Sequence, residues 1–185
     1  GWENSGGSDV TDGGEWTSSS GSYLSISSSI KYAGSYALKV GINPLMFENS
    51  DYVEISPSSN LDVQCNITVE SLVYMDELPS QTGLHFEISG KEWNVLRFFV
   101  SAPEDKLAVT QSYDGTSLCY IGKTVLVPKR WYHLAYAFDG SSLKLYVDSV
   151  QDLAVNQTGL IEVNNSPLLL HGFRKDAVNS TSGMI

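Results

Sequence analysis

Basic charge is scarce in this 185-residue sequence, with 11 Lys and Arg against 21 Asp and Glu, a formal net charge of −10. A phosphate backbone would be repelled and no basic cluster offsets the deficit, which argues against nucleic acid as a partner. Long apolar runs are missing too; none approaches the roughly 20 residues that a membrane-spanning helix needs. No stretch keeps a 3.6-residue apolar period long enough for a helix, so very little helix is expected. The chain also lacks an initiator Met and a signal peptide, as a processed or trimmed product would. Cysteine is confined to Cys65 and Cys119. These two can form one disulfide, which requires Cα atoms within about 7 Å, or remain as buried thiols.

Patterns for catalysis are equally thin. His85, His133 and His171 are scattered, and with two cysteines they show no zinc-type spacing and no Ser/His/Asp arrangement. The adjacent carboxylates Asp76-Glu77 and Glu104-Asp105 stand close to Pro79 and Pro103 and read as solvated turns. Glu87 and Glu92 flank the Ser89-Gly90 turn without an evident partner.

What the chain has is an 11% aromatic fraction, few charged residues, and abundant Ser, Gly, Thr and Asn. Such a composition belongs to a turn-rich β protein with a hydroxyl-covered surface, and the length suits one domain. The organising stretch is Arg130–Val150, in which the alternating runs WYHLAYAF and LKLYVDSV flank Asp139-Gly140-Ser141-Ser142. Asp-Gly between alternating runs predicts an antiparallel hairpin, because Gly accepts the positive φ of the turn. Trp131, His133, Ala135 and Ala137 share one face of the first run; Tyr132, Leu134, Tyr136 and Phe138 share the other. Earlier strands are expected at 23–27 and 34–40, then near 51–56, 66–75, 83–89, 94–101, 106–112 and 118–127. After the hairpin they are expected at 159–163 and 167–173. Turn chemistry separates them, as at Asp114-Gly115 and Val127-Pro128. Many short strands at regular spacing predict a two-sheet antiparallel β-sandwich of jelly-roll type. Residues 1–21 form a Gly/Ser-rich arm in which Trp2 and Trp16 have little reason to stand unless one docks on the sandwich or on a neighbouring molecule. Residues 22–185 form the domain proper.

The central hairpin resembles laminin-G-like and pentraxin-like jelly rolls of the concanavalin A-like superfamily, where Trp-(Tyr/His)-His leads through Asp-Gly to Leu-x-Leu-Tyr-Val-Asp. A second block, Asp51-Tyr52-Val53-Glu54-Ile55, then Leu61, then Ile67–Tyr74, is similar to that family's "DYVEI … FTIEAWVY" segment. Together the resemblance covers roughly residues 36 to 185. It implies that Trp131 is a core residue and that His133 is packed and hydrogen-bonded. It also implies that Gly183-Met184-Ile185 opens a final strand cut short here, leaving an edge open to strand addition by a neighbour. Retaining glycosidases of the superfamily carry Glu-x-Asp-x-x-Glu on one strand, which aligns alternate carboxylates on one face. No such motif occurs in this chain.

The resemblance further implies carbohydrate or extracellular protein ligands, and it leaves calcium open as a cofactor without assignable ligands, since the ion wants about six to eight oxygens. Sugar rings stack on flat aromatic faces beside amides. The candidates are Trp93 with Asn94, and Tyr113 with Tyr120 around Asp114-Gly115; the competing reading is that these aromatics cover the sandwich. Four Asn-x-Ser/Thr sequons, at Asn66, Asn156, Asn164 and Asn179, point to a secreted or cell-surface glycoprotein. The expected function is a non-catalytic extracellular recognition or adhesion module. The alternatives are a structural subunit of a filament, capsid or surface layer assembling by strand exchange, and, least favoured, a polysaccharide-active enzyme.

Overall fold

The computed structural model describes residues 10–11, 14–18, 24–35, 37–40, 52–78, 84–91, 95–171 and 173–175. In chain order its first strands are β1 (Val10–Thr11), β2 (Gly14–Ser18), β3 (Leu24–Ser27), β4 (Ala37–Val40) and β5 (Tyr52–Ile55). A short 3-10 turn, Ser59–Leu61, leads to β6 (Ile67–Tyr74), β7 (Leu84–Gly90), β8 (Leu96–Ser101), β9 (Lys106–Tyr113) and β10 (Thr116–Val125). The last strands are β11 (Trp131–Phe138), β12 (Ser142–Val147), β13 (Val150–Asn156), β14 (Leu168–His171) and β15 (Phe173–Lys175). The larger sheet runs β1-β2-β5-β14-β7-β8-β9-β10, with β15 also beside β7; the smaller runs β13-β12-β11-β6, and β3 pairs with β4 apart from both. Every pairing is antiparallel. The molecule is an all-β, two-sheet jelly roll. No helix among the described residues is long and apolar enough to cross a membrane.

The predicted hairpin forms at β11–β12. Asp139 donates its N–H to the Ser142 carbonyl at 3.2 Å, and Gly140 takes φ +90°. Register pairs Phe138 with Leu143 and Leu134 with Val147. Inward go Tyr132, Leu134, Tyr136 and Phe138 from β11 and Leu143, Leu145 and Val147 from β12. They pack on Leu96, Phe98 and Val100 of β8 and Leu107 and Val109 of β9; the Phe98 and Tyr136 rings meet across the sheets at 6.3 Å. A side chain such as Leu134, fully removed from water, contributes on the order of 2 kcal/mol.

Two devices close the sandwich. Gln111, fully buried, donates its amide to the Tyr136 hydroxyl and accepts from the Tyr113 hydroxyl, satisfying three polar groups inside the core. Burial holds both phenols well above the ordinary tyrosine range. At the seam between edge strands β10 and β13, the buried Asp152 carboxylate accepts from the Lys123 and Thr124 backbone N–H groups, both at 2.9 Å, and from the Thr124 hydroxyl at 2.6 Å. The carboxylate lies so close to Gly122 that a Cβ there would collide with it. This is where β10 slips register against β9, between Ile121 and Val125.

Several expectations are corrected. Residues 159–163 are not a strand. They cap one end of the sandwich, with Ile161 N–H to Gln64 carbonyl at 2.9 Å and Glu162 N–H to Ser112 carbonyl at 3.0 Å, and the Ile161 side chain is buried. The strand lies earlier, at β13, reached from β12 by a tight turn in which Asp148 and Ser149 take φ +50° and +67°. Part of the N-terminal arm is a sheet element, since β2 pairs with β5 and sets Trp16 opposite Ile55. Cys65 and Cys119 are not joined as a disulfide. Cys65 sits just before β6, near Gly140, whereas Cys119 pairs with Thr110 on an exposed stretch of β10 in the other sheet. Neither is buried as the thiol alternative supposed. Trp2 and Gly183-Met184-Ile185 lie outside the described residues.

Candidate functional site

Alternation fixes what the smaller sheet shows to solvent. With Tyr132, Leu134, Tyr136 and Phe138 inward, Trp131, His133, Ala135 and Ala137 must point outward. Trp131 is therefore not a core residue, contrary to the expectation; it stands half-buried on the outer face because its strand parity is opposite to that of Tyr132. Register arranges its neighbours as rungs: Tyr74 beside Trp131, Leu72 beside His133, Glu70 and Tyr146 on either side of Ala135, and Thr68 and Lys144 on either side of Ala137.

This ladder has two chemically different ends. At one end Trp131 packs on Tyr74 at 5.5 Å and meets Tyr32 edge-on at 5.9 Å, and Tyr32 remains 62% exposed. Arg130, stacked over Tyr132 at 4.3 Å, pairs with Asp148, whose other oxygen accepts the His133 N–H at 3.0 Å. Leu72 adds apolar surface, 43% exposed. In the middle His133 Nε2 and Glu70 Oε2 are 3.1 Å apart.

The other end is polar. Small alanines in β11 leave a floor between taller neighbours, and a groove of about 240 Å³ opens there, lined by Asn66, Thr68, Ala137, Asp139, Lys144 and Tyr146 among others. Asp139 does not reach freely into it. One of its oxygens accepts the Ser141 N–H at 2.9 Å, the Ser141 hydroxyl at 2.8 Å and the Ser142 N–H at 2.7 Å. These bonds, led by the Ser141 backbone, hold its pKa down to about 2, so it is ionised at any ordinary pH and unsuited to be a general acid. The face thus offers amide, hydroxyl, carboxylate, ammonium and phenol groups over an apolar floor. Such groups can hydrogen-bond a hydroxyl-rich ligand.

A second hollow, about 560 Å³, is lined by Asn164, Asn165, Ser166, Pro167 and Leu169. Behind it Lys91, 5% exposed, pairs with Asp62 and reaches the Leu61 and Asn164 carbonyls, both at 3.4 Å. Among the described residues its lining includes no aromatic side chain.

A laminin-G family model, described as the concanavalin A-like lectin/glucanases superfamily, matches residues 47–185. The chain belongs to the concanavalin A-like lectin/glucanases superfamily. No curated protein matches it in sequence. Among solved structures, the chain is similar to domain 4 of AbnA, an extracellular GH43 arabinanase from Geobacillus stearothermophilus, seen in complex with arabinotriose. That likeness has TM-score 0.57 and 14% identity, over 88% of this chain and 78% of that one. Botulinum neurotoxin type C, whose cell entry is described as dependent upon interaction with two ganglioside molecules, gives TM-score 0.66 and 11% identity over 94% of this chain and 41% of that one. A botulinum neurotoxin serotype C1 binding domain gives 0.55 and 12% over 80% and 39%. At such identities the likeness concerns the fold alone.

Within this superfamily fold the residues singled out from sequence scatter. Tyr113 is in the core, 7% exposed, edge-on to Phe138 at 5.8 Å. Tyr120 is half-buried on the inner side of β10 and gives its hydroxyl to Gln157; burial raises its pKa. Neither is brought to the outer face. Trp93 and Asn94 lie outside the described residues, as does Asn179. Of the other sequons, Asn66 and Asn156 are exposed, and Asn164 is half-buried, its side-chain oxygen accepting the Ser166 N–H at 3.3 Å. Among the described residues no three His, Cys, Asp or Glu side chains converge on one point, and Asp139 and Asp148 are engaged in a turn and an ion pair. The residues that sequence reading missed are Tyr146 and Lys144. Their signal was available, because both alternate with the core residues Leu143, Leu145 and Val147.

Proposed function

We propose that this chain is a non-catalytic, extracellular carbohydrate-binding module whose ligand lies on the outer face of the smaller sheet. The observation that carries this reading is the groove between β6, β11 and β12, where Tyr146, Lys144, Thr68 and Asn66 surround an alanine floor. An aromatic ring beside amides and hydroxyls is the usual way a protein orients a sugar. The superfamily and the arabinotriose complex of a similar fold support the ligand class. A binding rather than hydrolytic role is supported by the occupation of the face's carboxylates: Asp139 by its own turn, Asp148 by Arg130, Glu70 by His133. Two glycosidase carboxylates must instead stand free across one bond. The exposed sequons Asn66 and Asn156 support an extracellular setting. Asn66 lines the groove, so a glycan attached there would compete with a ligand.

The test is affinity electrophoresis and calorimetry of unglycosylated protein against neutral plant and microbial polysaccharides. Retardation that Tyr146→Ala and Lys144→Ala abolish, with no reducing ends released on long incubation, is the expected result. Binding unaffected by both substitutions would move the site elsewhere, and no binding to any glycan would end the reading.

A further inference from the structure

The groove is only one end of the outer face, and the ladder continues past it. From Asp139 at the hairpin to Trp131 at the start of β11 is eight residues, or roughly 27 Å at about 3.4 Å per residue. Along this line the rungs pass from Lys144 and Thr68, through Tyr146 and Glu70, to His133 and Leu72, and end on Trp131 and Tyr74 with Tyr32 over them. Between the hairpin and His133, β11 itself raises no bulky side chain, because Ala135 and Ala137 stand there. A single sugar needs one polar groove. It does not need an aromatic cluster several rungs away.

Charge narrows the ligand further. Glu70, Asp139 and Asp148 outnumber Lys144 and Arg130 on and beside this face, and the chain as a whole carries −10. Like charge in high dielectric costs little per pair but acts over the whole approach, so an anionic glycan is disfavoured both in encounter and in place.

We infer that the outer face of the smaller sheet is an extended platform for the interior of a neutral, linear glycan chain, held at its polar end by Tyr146, Lys144 and Thr68 and stacked at its far end on the Trp131–Tyr32–Tyr74 cluster. This rests on the carbohydrate-binding reading above and adds the ligand's length and charge. Trp131 and Tyr32 are then affinity determinants for long chains alone, whereas Tyr146 and Lys144 matter for every ligand.

The experiment is calorimetry with neutral xylo-, cello- and arabino-oligosaccharides from monosaccharide to hexasaccharide, and with oligogalacturonate of matched length. Affinity is expected to rise about tenfold or more from the short to the long neutral members, and to be weaker for oligogalacturonate. Trp131→Ala should erase that rise and leave the affinity of the shortest binding members within about twofold. Because Trp131 is half-buried and its loss could perturb folding, the exposed Tyr32→Ala is measured alongside and should reduce the rise as well. A monosaccharide bound as tightly as a hexasaccharide, or long-chain affinity unchanged in both variants, would overturn the platform while leaving the binding module standing. Tighter binding of oligogalacturonate would overturn the neutral ligand. Absence of binding to every sugar would overturn both readings together.

Discussion

The two outer faces of the sandwich are built from strands of the same alternating geometry, yet one is closed at its centre and the other open. At the centre of the larger sheet the side chains of Arg97, Phe99 and Ser101 of β8, Ala108 and Ser112 of β9, and Glu87 of β7 point away from the core and are buried. Lys106 and Thr110 of β9 are half-buried, and Cys119 and Ile121 on the edge strand β10 are exposed. On the smaller sheet the floor residue Ala135 is buried, but its neighbours on the outer face, Thr68, Glu70, Leu72, Lys144 and Tyr146, are exposed or half-exposed. The closed face even buries an ion pair: Arg97 Nε and Nη2 both lie 3.2 Å from Glu87 Oε2, and the guanidinium stacks over Phe99 at 4.7 Å. Gly90 is required beside it, since a Cβ there would run into the Glu87 carboxylate. Buried charges are expensive to isolate and belong to structure; exposed polar groups on a small-residue floor cost little and are available to a ligand. On the proposed reading, stability lies on one face and recognition on the other.

The largest effect should come from breaking the closed face. Arg97→Met removes the guanidinium that pairs with the buried Glu87 carboxylate and should lose about 3–5 kcal/mol of stability, read as a lower urea midpoint. Combining it with Glu87→Leu should restore much of that loss, because a buried carboxylate that has lost its counter-charge costs more than the ion pair itself contributes. An Arg97→Met protein as stable as the parent would mean that the closed face is not structural.

Next in size is the seam. Asp152→Ala strips the acceptor from two backbone N–H groups and a hydroxyl in the β10 bulge. It should cost about 2–3 kcal/mol and loosen the β10–β13 edge, seen as faster amide exchange at Lys123 and Thr124. Unchanged exchange at those two amides would show that the seam is held by packing alone.

The open face predicts the reverse partition. Tyr146→Ala should lower sugar affinity about tenfold or more and change stability by less than about 1 kcal/mol. A large stability loss with intact binding would erase the division between the faces.

Much of this division was legible in the sequence, and what was not has physical reasons. Asp139-Gly140 announced the central hairpin because only a few residue pairs tolerate its backbone. The β12–β13 hairpin was invisible because its turn puts Asp148 and Ser149, not Gly, at positive φ. Parity within β11 was readable, but both faces carry aromatics, and the resemblance placed Trp131 inside where the packing of Leu134 and Phe138 puts it outside. Tyr113 shares parity with Leu107 and Val109, so its burial could have been read from β9 alone. Gln111, Arg97 and Glu87 look like surface residues in any sequence, since their partners come from other strands. A site made by adjacent rungs of three strands leaves no contiguous motif.

The smallest effect sharpens the boundary where the open face meets the hairpin. Asp139 has its pKa lowered from 3.8 to about 2 by the Ser141 and Ser142 hydrogen bonds. A folded-state pKa below the unfolded value means the native state releases the proton more readily, so the group stabilises the fold above about pH 4. That contribution fades as pH falls from about 4 to 2 and is gone once the folded carboxylate is protonated. Asp139→Asn cannot titrate. Its stability should therefore fall short of the parent at neutral pH, and the gap should close as both are acidified through this window. Because the carboxylate is fully exposed, the gap will be small and screened by salt. A difference that stayed constant from neutral pH down to pH 2 would show that the turn depends on the shape of the side chain and not on its charge, and Asp139 would then add nothing electrostatic to the polar end of the platform.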